Sequence, residues 1–134
     1  MSTPYVDGPI TAPGASPENT TFWDAAREHK LMVKFCKSCG KAHWYPRTLC
    51  PFCMGDTEWK QASGKGTIYS YSVTRRAGPT PFCIAYVTLE EGTTMMTNIV
   101  DCDLDDVRIG QAVEVVFKPT EEGQPPVPMF KPVG

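Results

Sequence analysis

Two Cys-x-x-Cys pairs, Cys36-Lys-Ser-Cys39-Gly40 and Cys50-Pro51-Phe52-Cys53, constrain this chain more than any other feature. Each pair sets two thiolates on one side of a tight turn. Together they offer the four soft ligands that tetrahedral zinc prefers, and they leave no coordination position for water or substrate. Gly40 suits the left-handed backbone of such a turn, and Pro51 stiffens the second turn. The same thiolates could hold iron in a rubredoxin-like site, and two disulfides would use the same sulfurs. The paired spacing favours a metal over disulfides, while the four thiolates by themselves suit zinc or iron. The expected cofactor is one structural Zn2+ on Cys36, Cys39, Cys50 and Cys53. A closed four-thiolate site stabilises a fold without performing chemistry.

At 134 residues the chain fits one domain, or a small unit joined to a compact second one. No apolar run approaches the roughly 18 residues that cross a bilayer, and no secretory signal is visible at the N-terminus. Metal-held thiolates point to a reducing cytoplasm. Cys83 and Cys102, left over, read as small buried hydrophobes. The net charge of -2 is unevenly spread: seven Lys/Arg against six Asp/Glu in residues 1–60, six against nine in 61–134. An acidic second half matches a phosphate backbone poorly, because such binding rests on clustered cations.

Residues 1–15, rich in Pro, Gly and Thr, read as an extended or mobile arm. Residues 16–60 read as a helix and a metal ribbon. Ser16 is the expected N-cap, Pro17 the first helical residue and Glu18 an acid in the first turn. The helix should stop near His29, with Phe22, Trp23 and Ala26 on one face. That face packs on the chain's own core or carries its aromatics to a partner. Leu31 to Phe35 alternates like a strand leading into the first knuckle. His43 is expected on the ribbon surface or behind the ligands, and Trp59 ends the ribbon. Residues 61–66, with Gly64 and Gly66, form the junction to a second unit over 61–134. There the pattern is all-β: Ile68–Val73 with Tyr69, Tyr71 and Val73 on one face, Phe82–Leu89, Met95–Val100 and Ala112–Phe117. Val127–Phe130, with its proline, reads as an edge strand. The fold class is mainly β: an N-terminal helix, a rubredoxin-like zinc ribbon, then a five-stranded OB-fold barrel.

In this combination the chain resembles the zinc-ribbon/OB-fold accessory proteins found alongside thiolases, hydroxymethylglutaryl-CoA synthases and related acyl-transferring enzymes. The resemblance rests on the Phe22-Trp23 helix, Leu31 to Cys39-Gly40, Tyr45-Pro46-Arg47 and Cys50-Pro51-Phe52-Cys53. It continues through Trp59, Gly64-x-Gly66, Tyr69-Ser70-Tyr71-Ser72, Val107-Arg108-Ile109-Gly110 and Val113-Glu114-Val115, leaving out only the first fifteen residues or so. It implies a non-catalytic subunit that binds a thiolase-fold or hydratase-like acyl-CoA enzyme and helps a CoA-linked intermediate pass between active sites.

On that reading Phe22 and Trp23 dock on the partner. Arg75 and Arg76, and more weakly Lys65, meet CoA phosphates through charge-assisted bonds. No paired carboxylates, Ser–His–Asp set or Cys–His arrangement stands out, so no catalytic residue is expected. Two other functions would draw on different residues. A single-stranded nucleic-acid-binding barrel would stack bases on Tyr69 and Tyr71. An autonomous zinc enzyme would need Cys83 or His43 to replace a knuckle cysteine and open the site.

Overall fold

The computed structural model describes residues 3–8, 10–13, 16, 19–76 and 80–133. Helix α1 (Thr20–Arg27) leads into a three-stranded antiparallel sheet ordered β2-β1-β3, built from β1 (Met32–Cys36), β2 (Ala42–His43) and β3 (Thr57–Gln61). A closed barrel follows, ordered β4-β5-β6-β8-β7, from β4 (Lys65–Thr74), β5 (Phe82–Leu89), β6 (Thr94–Ile99), β7 (Ala112–Lys118) and β8 (Val127–Pro132). β7 pairs back with β4, Gly66 opposite Val113, so the ring has no open edge. The expected mainly-β class, with a helix, a ribbon and a five-stranded OB barrel, is the one observed. No helix among the described residues is long and apolar enough to cross a membrane.

Helix α1 begins later than its sequence signals suggest. Its N-cap is Asn19, and Ser16 supplies a preceding turn, its carbonyl accepting the N–H groups of Asn19 (3.0 Å) and Thr20 (3.1 Å). Asn19 Oδ1 accepts the Ser16 N–H at 2.7 Å. Pro17 and Glu18 lie outside the described residues. Phe22 and Ala26, four apart, fall on the buried face. The helix stops where expected, His29 turning to φ 60.

β5 shows why the barrel was readable. Its even alternation buries Cys83, Ala85, Val87 and Leu89 while Ile84 and Tyr86 face out. In β4 the alternation breaks at a bulge between Ile68 and Ser70. Tyr69 is thereby pushed outward, 68% exposed, while Ile68 is buried and Tyr71 and Val73 take the register positions opposite Ala85 and Cys83. Tyr69, Tyr71 and Val73 therefore do not share one face.

Nor is β8 an edge strand. It lies between β6 and β7, touching β6 through the single pair Ile99↔Phe130 while pairing with β7 along its length. Pro128 is tolerated because so little of the β6 ladder needs its N–H.

Two glycines fix how the ribbon enters the barrel. Gly64 has φ +82, and a Cβ there would lie 2.6 Å from Val115 Cγ1. A Cβ on Gly66 would meet the Thr88 carbonyl oxygen at 2.7 Å, so β4 and β5 can close only around a bare backbone. One continuous core spans both units, with Phe22, Leu31 and Val33 from the helix-ribbon half packed with Ile68, Val87 and Phe130 of the barrel.

In the N-terminal segment, Thr3, Tyr5 and Asp7 are tied to the barrel half. Tyr5 N–H donates to the Cys102 carbonyl (2.9 Å), and the Thr3 carbonyl accepts from Leu104 N–H (2.8 Å). Lys118 Nζ holds Asp7 at 3.1 Å and Asp101 at 2.7 Å beneath the Tyr5 ring.

Candidate functional site

The metal centre is two copies of one small turn. In the first, Gly40 N–H donates to the Cys36 carbonyl (3.0 Å) and Cys36 N–H to the Lys41 carbonyl (3.0 Å). The second repeats this with Met54 N–H on the Cys50 carbonyl (2.8 Å) and Cys50 N–H on the Gly55 carbonyl (2.9 Å). Gly40, at φ 75, takes the left-handed conformation expected of it, and Met54 takes the equivalent position at φ 64. Backbone N–H groups aim at sulfur: Ser38 and Cys39 at Cys36 Sγ (3.3 and 3.2 Å), Phe52 at Cys50 Sγ (3.4 Å). β1 delivers Cys36 at its last residue, opposite Thr57 of β3, which roots the first knuckle in the ribbon sheet.

The four Sγ atoms lie within 4.8 Å of one another. The Cys36–Cys53 and Cys39–Cys50 separations are 3.4 and 3.8 Å. Tetrahedral zinc with Zn–S bonds of about 2.3 Å needs sulfurs roughly 3.8 Å apart, so the donor set fits. A disulfide needs about 2.05 Å, and all six cysteines are free thiols. The four sulfurs crowd one another's charge. Cys36 is drawn down to about 6, chiefly by the Cys39 backbone N–H. The Gly55 N–H pulls Cys53 down, yet the Cys36 sulfur and desolvation carry it up to about 11. A dication facing all four thiolates is what that crowding calls for. When bound, zinc supplies cross-linking of the two knuckles.

His43 is not on the ribbon surface. It is buried at 2% exposure, and its Nε2 accepts the Arg47 N–H at 3.1 Å, pinning the Trp44–Arg47 turn. Burial, then the charge of Lys34, lowers its pKa below the ordinary imidazole value, so it stands as a neutral hydrogen-bond acceptor. Cys83 is fully buried, and desolvation pushes its thiol up to about 11, an inert state. Among the described residues, the four cysteines are the one cluster of His, Cys, Asp or Glu able to hold a metal ion.

The remaining candidates are not gathered at one point. Phe22 belongs to the core at 3% exposure, edge-on to Trp23 (4.7 Å) and tilted against Trp44 (5.1 Å). It has no surface to dock with. Trp23 is half-buried at the mouth of a cleft of about 300 Å³ between α1, the ribbon and the barrel, lined by Trp44, Met95, Met96 and Pro128. Ile10, Asn98 and Met129 also line a second cleft, of about 360 Å³, which runs on to Tyr5, Thr80 and Phe82. The two clefts therefore neighbour each other along the barrel wall, sharing these three residues. Arg75 is committed to Asp105, whose Oδ1 accepts from Nε (3.1 Å) and Nη2 (2.7 Å). Arg76 is exposed, with no ion pair among the described residues. Lys65 opens the ten-residue strand β4 that ends just before Arg75. At about 3.3 Å per residue, a strand of that length separates Lys65 from the arginines by up to roughly 30 Å.

A two-knuckle, four-cysteine ribbon sharing its core with a closed five-stranded barrel defines a rubredoxin-like zinc ribbon joined to an OB fold. Residues 23–59 match the ChsH2 rubredoxin-like zinc ribbon domain, and residues 59–118 the ChsH2 C-terminal OB-fold domain. A DUF35 domain-containing scaffold protein of Methanocaldococcus jannaschii is 42% identical over 108 residues, spanning 75% of this chain and 77% of that protein. The chain belongs to this family of ChsH2-type zinc-ribbon/OB-fold proteins. A probable enoyl-CoA hydratase alpha subunit of Thermomonospora curvata is 30% identical over 126 residues, covering 90% of this chain but 39% of that longer protein. Among solved structures, a chain of the Ltp2-ChsH2(DUF35) aldolase superposes with a TM-score of 0.77 at 30% identity, covering 90% of this chain and 98% of that one.

Proposed function

We propose that this chain is a non-catalytic accessory subunit of a multicomponent acyl-CoA-processing complex, docking on a thiolase-fold or hydratase-like enzyme. One observation carries the reading: the four thiols converge on one closed metal site, while the described lining of the two clefts holds no nucleophile–base pair. Relatives named as scaffold proteins, as a hydratase alpha subunit and as part of an aldolase support the class of partner.

The groove beside Trp23 accepts part of an acyl-CoA. Its apolar walls suit an acyl or pantetheine chain, with Asn98 lining both clefts. Arg76 is the cation best placed for CoA phosphate, since Asp105 occupies Arg75 and Lys65 stands at the far end of β4. Nucleic acid fits less well, because strand binding needs cations tracking a backbone beside the stacking aromatics.

The test is to isolate the chain from its native extract and identify what accompanies it. Near-stoichiometric recovery of a thiolase-fold or hydratase-like enzyme, with no thioester turnover by the chain alone, is the expected result. Recovery of nucleic acid or ribosomal proteins in its place sinks the reading.

A further inference from the structure

Beyond Lys65, the first residue of β4, three consecutive barrel strands carry no charge on any side. From Gly66 to Thr74 in β4, and throughout β5 and β6, there is no Asp, Glu, Lys, Arg or His. Every other strand of the molecule except β2, which holds His43, carries a lysine or a glutamate: Lys34, Glu58 and Lys60, Glu114 and Lys118, Lys131. The inward positions of such a wall are expected to be apolar. The outward ones are expected to be charged, since exposed strand faces are kept soluble that way.

What stands outward here is Tyr69 (68% exposed), Ile84 (40%), Tyr86 (47%) and Met96 (59%), interspersed with hydroxyl and amide side chains. Tyr86 and Met96 are direct cross-strand partners, and Ser70 pairs with Tyr86 on the other side. The β4 bulge is what turns Tyr69 out toward this row. Tyrosine and methionine enriched and charge depleted on one rigid surface is the composition of the centre of a protein–protein interface. Met96 also lines the cleft beside Trp23, so the face is continuous with the groove.

We propose that the outer face of β4–β5–β6 is the docking surface of this chain, and that its occupant is the acyl-CoA enzyme subunit, presenting an uncharged, apolar patch. This rests on the accessory-subunit reading above and adds the location and chemistry of the contact. An uncharged face offers nothing to phosphates or acidic headgroups, which directs the choice to protein. The scaffold and alpha-subunit relatives direct it to a different chain rather than a second copy. The open side of the groove then lies against the partner, where a CoA-linked intermediate would have to pass.

The experiment uses the full zinc-loaded chain and the enzyme recovered with it. The double variant Tyr86→Asp/Met96→Asp is compared with Gln61→Glu, which places a charge on an exposed residue of the ribbon sheet away from the metal ligands. Zinc content and thermal midpoint are checked for each. Weakening by about 30-fold or more in the double variant, with Gln61→Glu near wild type, is expected. Hydroxyl-radical footprinting of the wild-type complex provides a measurement that no variant's folding can disturb: Tyr69, Tyr86 and Met96 should be protected. Wild-type affinity in the double variant, or unprotected side chains in the complex, overturns the location while leaving the accessory reading intact. Failure of the wild-type chain to associate with any acyl-CoA enzyme removes that reading and this one with it. A dimer of the isolated chain that the double variant disperses makes the occupant a second copy and overturns the choice of partner.

Discussion

At the scale of single residues, the two knuckles differ in one informative place. Gly40 and Met54 occupy equivalent left-handed positions at φ 75 and 64, and only the first is a glycine. An L-residue there costs roughly 1–2 kcal/mol, and Met54 is 67% exposed, so its side chain returns little in packing. Met54→Gly should therefore stabilise the zinc-loaded protein by about 1 kcal/mol after the extra entropy of an unfolded glycine is subtracted. Differential scanning calorimetry should show the midpoint rising by about 4 °C, and a fall would mean that the Met54 side chain is held by something that offsets the strain. A second residue-scale effect lies in the N-terminal segment. The hydrogen bond from Lys118 holds Asp7 below its ordinary carboxylate value. Because the folded pKa is depressed, the stabilisation is fully present above about pH 4 and is lost as pH falls through the folded pKa. A carboxyl NMR titration should find Asp7 titrating below the usual range, and Lys118→Met should return it there. An unchanged titration in that variant would detach Lys118 from the effect.

At the scale of elements, what was legible in the sequence was what is local. The metal ligands were readable because a Cys-x-x-Cys turn is closed by its own backbone, and β5 was readable because its alternation is unbroken from Phe82 to Leu89. What a distant partner decides is not legible locally. Nothing near Arg75 reveals that Asp105 claims it, and nothing near Val127 reveals that β8 is enclosed by β6 and β7. The outward turn of Tyr69 needs the extra residue of a bulge, which shows only when β4 is laid against β5. The start of α1 moved because Asn19 and Ser16 bond each other, outcompeting the Ser16-Pro17 signal for the helix start. Gly64-x-Gly66, by contrast, was visible as a junction, and the structure supplies its reason. A methyl on Gly66 meets the backbone of Thr88, which cannot rotate away. Gly66→Ala should force β4 and β5 apart at their start and cost about 2 kcal/mol. Urea unfolding should show a lower midpoint with the slope unchanged, and an unaltered midpoint would mean that the barrel opens there more readily than its contacts imply.

At the scale of the whole molecule, the question is whether ribbon and barrel stand or fall together. The barrel closes on its own hydrogen bonds, which argues for independence. Its core argues the other way. Phe22, Leu31 and Val33 come from the helix-ribbon half and lie at 3%, 2% and 0% exposure within the barrel's own cluster. Withdrawing large core side chains costs roughly 2–5 kcal/mol each, and a domain has only about 5–15 kcal/mol in all. Zinc contributes on the order of 10 kcal/mol to folding in small ribbon-like units, so removing it frees those side chains from a ribbon that no longer holds its shape. The barrel should then lose its stability along with the ribbon. The chain carries natural reporters for this, since Trp23, Trp44 and Trp59 are its three tryptophans and all belong to the helix-ribbon half. Titrating the zinc-loaded protein with a strong chelator should move tryptophan fluorescence and the far-ultraviolet β signal of the barrel along one curve, in step with metal release. Fluorescence changing first, with the β signal persisting, would mean that the shared core is a contact between two self-sufficient units rather than a common foundation.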